Sequence, residues 1–144
     1  MIEQDTIKLL RECDAGVKMG VDSIDEVLPY VKNDEFERLL TDCKKEHEKL
    51  SCEIGELLRD YHDDGKEPNP IAKGMSHVKT NVKLAMKESD KTIADLMTDG
   101  CHMGVKSLCR YLNQYEAADE VSKDIAKRLI KQEERLSKDI QRFL

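Results

Sequence analysis

Apolar residues recur along the chain in steps of three, four or seven, the spacing of one face of an amphipathic helix. The first two stripes are Ile7, Leu10, Val17, Val21, Ile24, Leu28 and Val31, then Phe36, Leu40, Leu50, Ile54, Leu57 and Tyr61. Pro29 should end or kink the first helix, because proline has no N–H to donate and clashes with the preceding turn. Asn33 is the expected N-cap of the second helix. Because the connection is short, the two helices should be antiparallel.

Three further stripes follow a loop predicted at residues 62–69. They are Ile71, Met75, Val78, Val82 and Ala85; Ala94, Met97, Leu108 and Tyr115; and Ala126, Leu129, Leu136, Ile140 and Phe143. One helix over residues 70–115 would be about 69 Å long and would overhang neighbours of about 40 Å. We therefore expect a break at residues 87–90, with Ser89 or Asp90 capping the next helix. The preceding segment becomes a short crossover helix, after which the chain runs parallel to the second helix.

Length and composition narrow the class of protein. The 144 residues are enough for one domain over residues 1–144. The net charge of −6 argues against nucleic-acid binding, which needs a basic face. No apolar run approaches the roughly 18 residues of a membrane span, and the acidic N-terminus is unlike a signal peptide. Five cysteines without a CxxC pair indicate reduced thiols, so we expect a cytoplasmic protein.

The order of the helices resembles that of ferritin-like bundles, in particular an uncharacterised bacterial branch with a helical crossover. The stretches that carry the resemblance are ECDAGVKMGVDSIDEV, NDEFERLLTDCKKEHEKLSCEIGELL, PIAKGMSHVKTNVKLAMKESDKTIADLMTDGCHMGVKSLCRYL and the last amphipathic segment. The resemblance implies an all-α fold, a ferritin-like four-helix bundle with an additional short crossover helix.

The resemblance does not extend to the di-iron ligands of that superfamily. Those proteins carry Glu on two helices and Glu-x-x-His on the other two. Here Lys44 stands three residues before His47, and the last helix has no histidine. Asp99 and His102 form only an Asp-x-x-His pair. The di-iron ligands are therefore not transferred to this chain.

Polar residues interrupt the apolar stripes near the middle of four helices, and they are the candidate metal ligands: Asp14, Cys43, His47, Cys101 and Glu133. If they converge at mid-bundle, where bundle proteins build metal sites, they would suit zinc or iron. The alternative is polar packing in the core, since cysteine behaves as a small hydrophobe. Under both interpretations we expect His47 to be buried and paired with a carboxylate, either Asp14 or Glu133.

Other candidates have simpler explanations. His77 lies beside the crossover stripe, and His62 with Asp63 and Asp64 forms an acidic turn. Cys52 and Cys109 lie off the main stripes, so we expect partial exposure.

The residues leave three classes of function open. The first is a non-catalytic bundle for interaction or assembly, and the second is a metal-binding bundle with an incomplete di-iron set. The third is a redox enzyme. We assign no catalytic residue and no firm cofactor; the protein partner is unknown. The crossover helix is expected to pack on the bundle, which leaves a homodimer through another face open.

Overall fold

The computed structural model describes residues 2–66 and 89–144. Four helices occupy these ranges: α1 (Ile2–Val27), α2 (Asp34–Asp60), α3 (Asp90–Gln114) and α4 (Glu120–Asp139). Two 3-10 turns, Leu28–Tyr30 and Gln141–Phe143, follow α1 and α4. All regular secondary structure in these ranges is helical, which confirms the all-α class. The crossover helix and His77 lie outside the described residues.

The ends of the helices follow the local signals in the sequence. α1 ends at Val27, and Pro29 stands in the 3-10 turn after it. Asn33 caps α2, its side chain accepting hydrogen bonds from the backbone N–H groups of Glu35 and Phe36. Ser89 is extended and accepts from the N–H of Thr92, so α3 begins at Asp90. The predicted break before residue 90 is therefore confirmed.

Contacts at the helix ends show which way each helix runs. The Asp90 carboxylate accepts hydrogen bonds from the backbone N–H groups of Lys32 and Asn33, both at 2.9 Å. α2 and α3 thus begin at the same end of the bundle, here called the turn end, and run parallel. At the opposite or far end, Thr6 of α1 accepts from the N–H of Asp119, the N-cap of α4. The prediction that α3 runs parallel to α2 is therefore confirmed.

The core consists of two clusters of buried apolar residues, one toward each end. The cluster toward the turn end comprises Ile24, Val27, Phe36, Leu40, Cys43, Ile93, Ala94, Met97, Cys101, Leu136 and Ile140. The cluster toward the far end comprises Leu9, Leu10, Cys13, Val17, Leu50, Ile54, Leu58, Leu108, Ala118, Ile125, Ala126 and Leu129. Phe36 stacks on Phe143 with ring centroids 4.6 Å apart, which closes the turn end. Burial of these side chains supplies the main driving force for the bundle.

After α2, the chain folds back over the outside of α1. Arg11 pairs with Asp63 at 2.9 Å, and Lys66 pairs with Glu12. Gly65 has a φ of +88°, a left-handed conformation that glycine adopts without steric cost. None of the helices in the described ranges is long and apolar enough to cross a membrane.

Candidate polar site at mid-bundle

Four of the five predicted ligands come together between the helices, and the fifth does not. Cys43 and His47 lie on α2, Cys101 on α3 and Glu133 on α4. Cys43, His47 and Cys101 are buried, and the Glu133 side chain is 13% exposed. We call these four residues the polar cluster. Asp14 lies elsewhere on α1.

His47 and Glu133 form the central contact of the polar cluster. His47 is 1% exposed, and its Nε2 lies 2.8 Å from Oε1 of Glu133. Because a carboxylate can only accept, Nε2 carries the hydrogen and donates it. The other ring nitrogen, Nδ1, lies 3.7 Å from the sulfur of Cys43, whose thiol can donate to it. This confirms the prediction that His47 is buried and paired with a carboxylate.

The two thiols of the polar cluster are held in their neutral form. Burial, with a further contribution from Glu133, raises the pKa of the Cys43 thiol from its ordinary value of 9.0 to about 12. The pKa of Cys101 is raised by burial, by the charge of Glu133 and by a hydrogen bond to Glu133. Glu133 therefore neighbours both the imidazole and the Cys101 thiol.

Two glycines allow the polar cluster to pack this closely. A Cβ atom at Gly20 of α1 would lie 2.8 Å from Cδ2 of His47 and 3.0 Å from its Nε2, which is too close for any side chain. A Cβ at Gly104 of α3 would touch Glu133 at 3.7 Å. The imidazole therefore fills the space that a side chain on α1 would otherwise occupy.

The prediction that Asp14 lies with the four residues of the polar cluster is wrong. Its carboxylate accepts from Lys18 Nζ and from the backbone N–H of Lys66, both at 2.9 Å, on the side of α1 covered by residues 61–66. Gly20, six residues farther along α1, is the residue level with His47. Asp14 stabilises the returning chain and does not reach the imidazole.

The weaker sequence candidates lie outside the polar cluster. Asp99 and His102 are exposed on α3. Asp63 accepts from the N–H of Gly65, the turn that the DDG sequence predicts. Cys52 and Cys109 are exposed, as expected.

Gly20 is the residue of this site that the sequence analysis missed. A glycine inside a helix costs stability relative to alanine and so indicates a close approach of another group. Its position inside α1, which is antiparallel to the helix that carries the core histidine, was the available signal.

As the side chains stand, no three histidine, cysteine, aspartate or glutamate residues in ranges 2–66 and 89–144 are arranged to hold a metal ion. The polar cluster is instead closed by its own hydrogen bonds. No protein-family model, curated protein or solved structure matches this chain.

Proposed function

We propose that this chain is a non-catalytic helical bundle of the ferritin-like type with a role in interaction or assembly. The observation that carries the proposal is the closure of the polar cluster: His47 is 1% exposed and bonded to Glu133 at 2.8 Å. A catalytic acid or base must come within hydrogen-bond reach of its substrate. Here the imidazole of His47 and the carboxylate of Glu133 are hydrogen-bonded to each other inside the core.

The directions of the helices support the ferritin-like topology. α2 and α3 begin at the same end of the bundle and run parallel, as the second and third helices do in bundles with a single long crossover. The di-iron set of such bundles needs four glutamates and two histidines. The polar cluster contains one of each, so we do not propose di-iron chemistry.

The far end of the bundle is the surface that we propose for assembly. The described residues include four exposed large apolar side chains, and two of them, Ile2 and Val121, lie at this end. The half-buried rings of Tyr61 and Tyr115 lie there as well. Tyrosines with apolar neighbours are typical of protein interfaces. A second copy of this chain is the partner that we propose.

Light scattering on the purified chain tests this proposal. We expect a dimer for the wild type and a monomer for the double variant Ile2→Glu with Val121→Glu, because buried carboxylates oppose association. Met103→Glu is the matched control, since Met103 is 66% exposed at the middle of α3 and should leave the dimer intact. A wild-type monomer at high concentration would refute self-assembly. A dimer that survives the double substitution would refute the far-end surface.

We place the protein in the cytoplasm. Its five cysteines are all free, and three of them are buried. Reduced thiols of this kind are usual in the cytosol and unusual in oxidising compartments.

A further inference from the structure

The apolar core residues of α4 repeat at intervals of seven, so they do not by themselves define one register against α2. Leu129 and Leu136 are seven residues apart, and Ala126 and Ile140 each lie seven residues from Glu133. Helices with such a repeat can slide by seven residues and still place apolar side chains in contact. α4 has 20 residues and α2 has 27, so α4 can slide by this amount toward the turn end and stay within the length of α2. We call that alignment the shifted register.

The ion pairs on the surface between α2 and α4 repeat with the same interval. Arg128 pairs with Glu53 at 2.8 Å. Arg135, seven residues later, pairs with Glu46 at 3.1 Å. In the shifted register Arg128 would face Glu46, so one such pair could form again. Because exposed ion pairs contribute little to stability, this seam discriminates poorly between the two registers.

The buried pair of His47 and Glu133 does discriminate between them. In the shifted register Ala126 would take the place of Glu133, and the Nε2 hydrogen of His47, which is 1% exposed, would face a methyl group. Glu133 would take the place of Ile140, whose side chain is fully buried. An unpaired buried donor and a buried carboxylate among apolar side chains are both costly. The shift is therefore penalised at two sites.

Gly20 ties the level of α1 to the same pair. A Cβ atom at this position would lie 2.8 Å from Cδ2 of the His47 ring. The residues seven positions away on α1 are Cys13 and Val27, and their Cβ atoms would meet the ring. The imidazole therefore has room at the level of Gly20 and not one repeat away from it.

The contacts at the turn end are a weaker constraint on the register. A shift of α3 together with α4 would break the hydrogen bonds of Asp90 with the N–H groups of Lys32 and Asn33. These N–H groups are exposed, so water can replace the carboxylate. Water cannot reach the imidazole of His47 in the same way.

We propose that His47, Glu133 and Gly20 specify the register of this bundle. They select one axial alignment of the antiparallel pair α3 and α4 against the antiparallel pair α1 and α2. A polar group buried within an apolar repeat can set register and oligomeric state at a cost in stability. The contribution of these residues is then the exclusion of other alignments, which ordinary polar packing does not provide. This role does not depend on the assembly function proposed above.

Disulfide trapping measures the register directly. The background carries C52S and C109S, which remove the exposed thiols. The pair E53C with R128C reports the native register, in which these positions are in contact. The pair E46C with R128C reports the shifted register, because positions 46 and 53 are about 10 Å apart along α2, too far for one disulfide to report both registers. Peptide mapping after oxidation of the full chain identifies the bond.

Replacing the buried pair with apolar residues should release the register. With His47 and Glu133 in place, we expect the native disulfide and little of the shifted one. In the double variant H47L with E133L, the shifted disulfide should increase at least about 10-fold, because neither register then leaves a buried polar group unpaired. Light scattering on this variant should also show more than one species, since the alignment no longer has a single solution.

Moving the acid along α4 tests the same role in the opposite direction. The double variant A126E with E133A places the carboxylate one repeat earlier, where it can reach His47 in the shifted register alone. The shifted disulfide should then exceed the native one. The matched control is I54L with L129I, which alters two buried apolar residues of α2 and α4 and should give the native disulfide as the wild type does.

Four results would overturn the proposal. Equal yields of the two disulfides with His47 and Glu133 in place would mean that the register is not fixed. Absence of the shifted disulfide in H47L with E133L would mean that other contacts fix it. An A126E with E133A variant that is unfolded by circular dichroism, or that keeps the native disulfide, would show that the shifted register is not accessible. A shifted disulfide in the apolar control would mean that any change in the core loosens the alignment.

Discussion

The imidazole Nε2 of His47 and the carboxylate Oε1 of Glu133 lie 2.8 Å apart, although 86 positions separate the residues in the chain. This contact joins α2 to α4, which are not consecutive in the sequence. The imidazole also fills the gap left by Gly20, so the same ring contacts α1. One buried side chain therefore fixes the relative level of three helices.

Breaking this contact from the Glu133 side should be costly. Glu133→Leu leaves the Nε2 hydrogen of His47 buried without a partner, so the free energy of unfolding should fall by about 1–3 kcal/mol. The double variant with His47→Leu should be more stable than Glu133→Leu alone, because both polar groups are removed. Urea unfolding measures both values. Equal loss in the single and double variants would show that the unpaired imidazole of His47 costs no stability.

An exposed ion pair provides the matched control for the buried contact of His47 with Glu133. Glu53 pairs with Arg128 at 2.8 Å on the surface, where water screens the charges. Glu53→Gln should change the free energy of unfolding by no more than about 1 kcal/mol.

Adding a single methyl group at Gly20 should destabilise the protein. A Cβ there would lie 2.8 Å from the His47 ring, so Gly20→Ala must displace the ring or α1, at a cost of about 1–3 kcal/mol. At Gly100 of α3, a Cβ meets nothing within 4 Å. Gly100→Ala should therefore stabilise the helix by up to about 1 kcal/mol. Thermal unfolding of the two variants should show Tm shifts of opposite sign.

The contact of Asp90 with the α1–α2 turn predicts a further loss of stability. Asp90→Ala removes an acceptor from the N–H groups of Lys32 and Asn33 and a favourable charge from the start of α3. Because these N–H groups are exposed and can turn to water, we expect a loss of about 1–2 kcal/mol. Asp95→Ala, an exposed aspartate farther along α3, is the control. If the unfolding curve of Asp90→Ala coincides with that of the wild type, this contact does not hold α3 to the turn.

The buried thiol of Cys13 predicts a dependence of stability on pH. Burial, with Glu12 and Asp14 nearby, raises its pKa from 9.0 to about 12 in the folded protein. The folded state keeps a proton that the unfolded chain loses, so stability is complete below about pH 9 and falls between about pH 9 and 12. The slope contributed by this thiol is about 1.4 kcal/mol per pH unit.

Cys13→Ala should therefore lose stability less steeply than the wild type above pH 9, although the substitution lowers stability at neutral pH by leaving a small cavity. Urea unfolding at pH 8, 9 and 10 gives the two slopes. Cys52→Ala, which removes an exposed thiol, should keep the wild-type slope. If the free energy of unfolding falls equally steeply with pH in Cys13→Ala and in the wild type, the Cys13 thiol does not stay protonated in the folded protein.

The sequence determined the features that depend on neighbouring residues. Pro29 and Asn33 mark the end of α1 and the start of α2, and Ser89 marks the start of α3, because caps and missing N–H groups act within one helical turn. Helix lengths also predicted that α3 runs parallel to α2, since a single helix that overhangs the bundle cannot bury its apolar face. The burial of His47 followed from its phase in the apolar stripe.

Tertiary structure decided which side chains meet. The sequence left Asp14 and Glu133 open as the partner of His47, but the residue of α1 that lies against the imidazole is Gly20, six residues beyond Asp14. Asp14 instead meets the backbone of Lys66, which reaches α1 only because the chain folds back after α2. Periodicity gives the apolar face of each helix, whereas the rotation and offset of one helix against another depend on packing across the whole bundle.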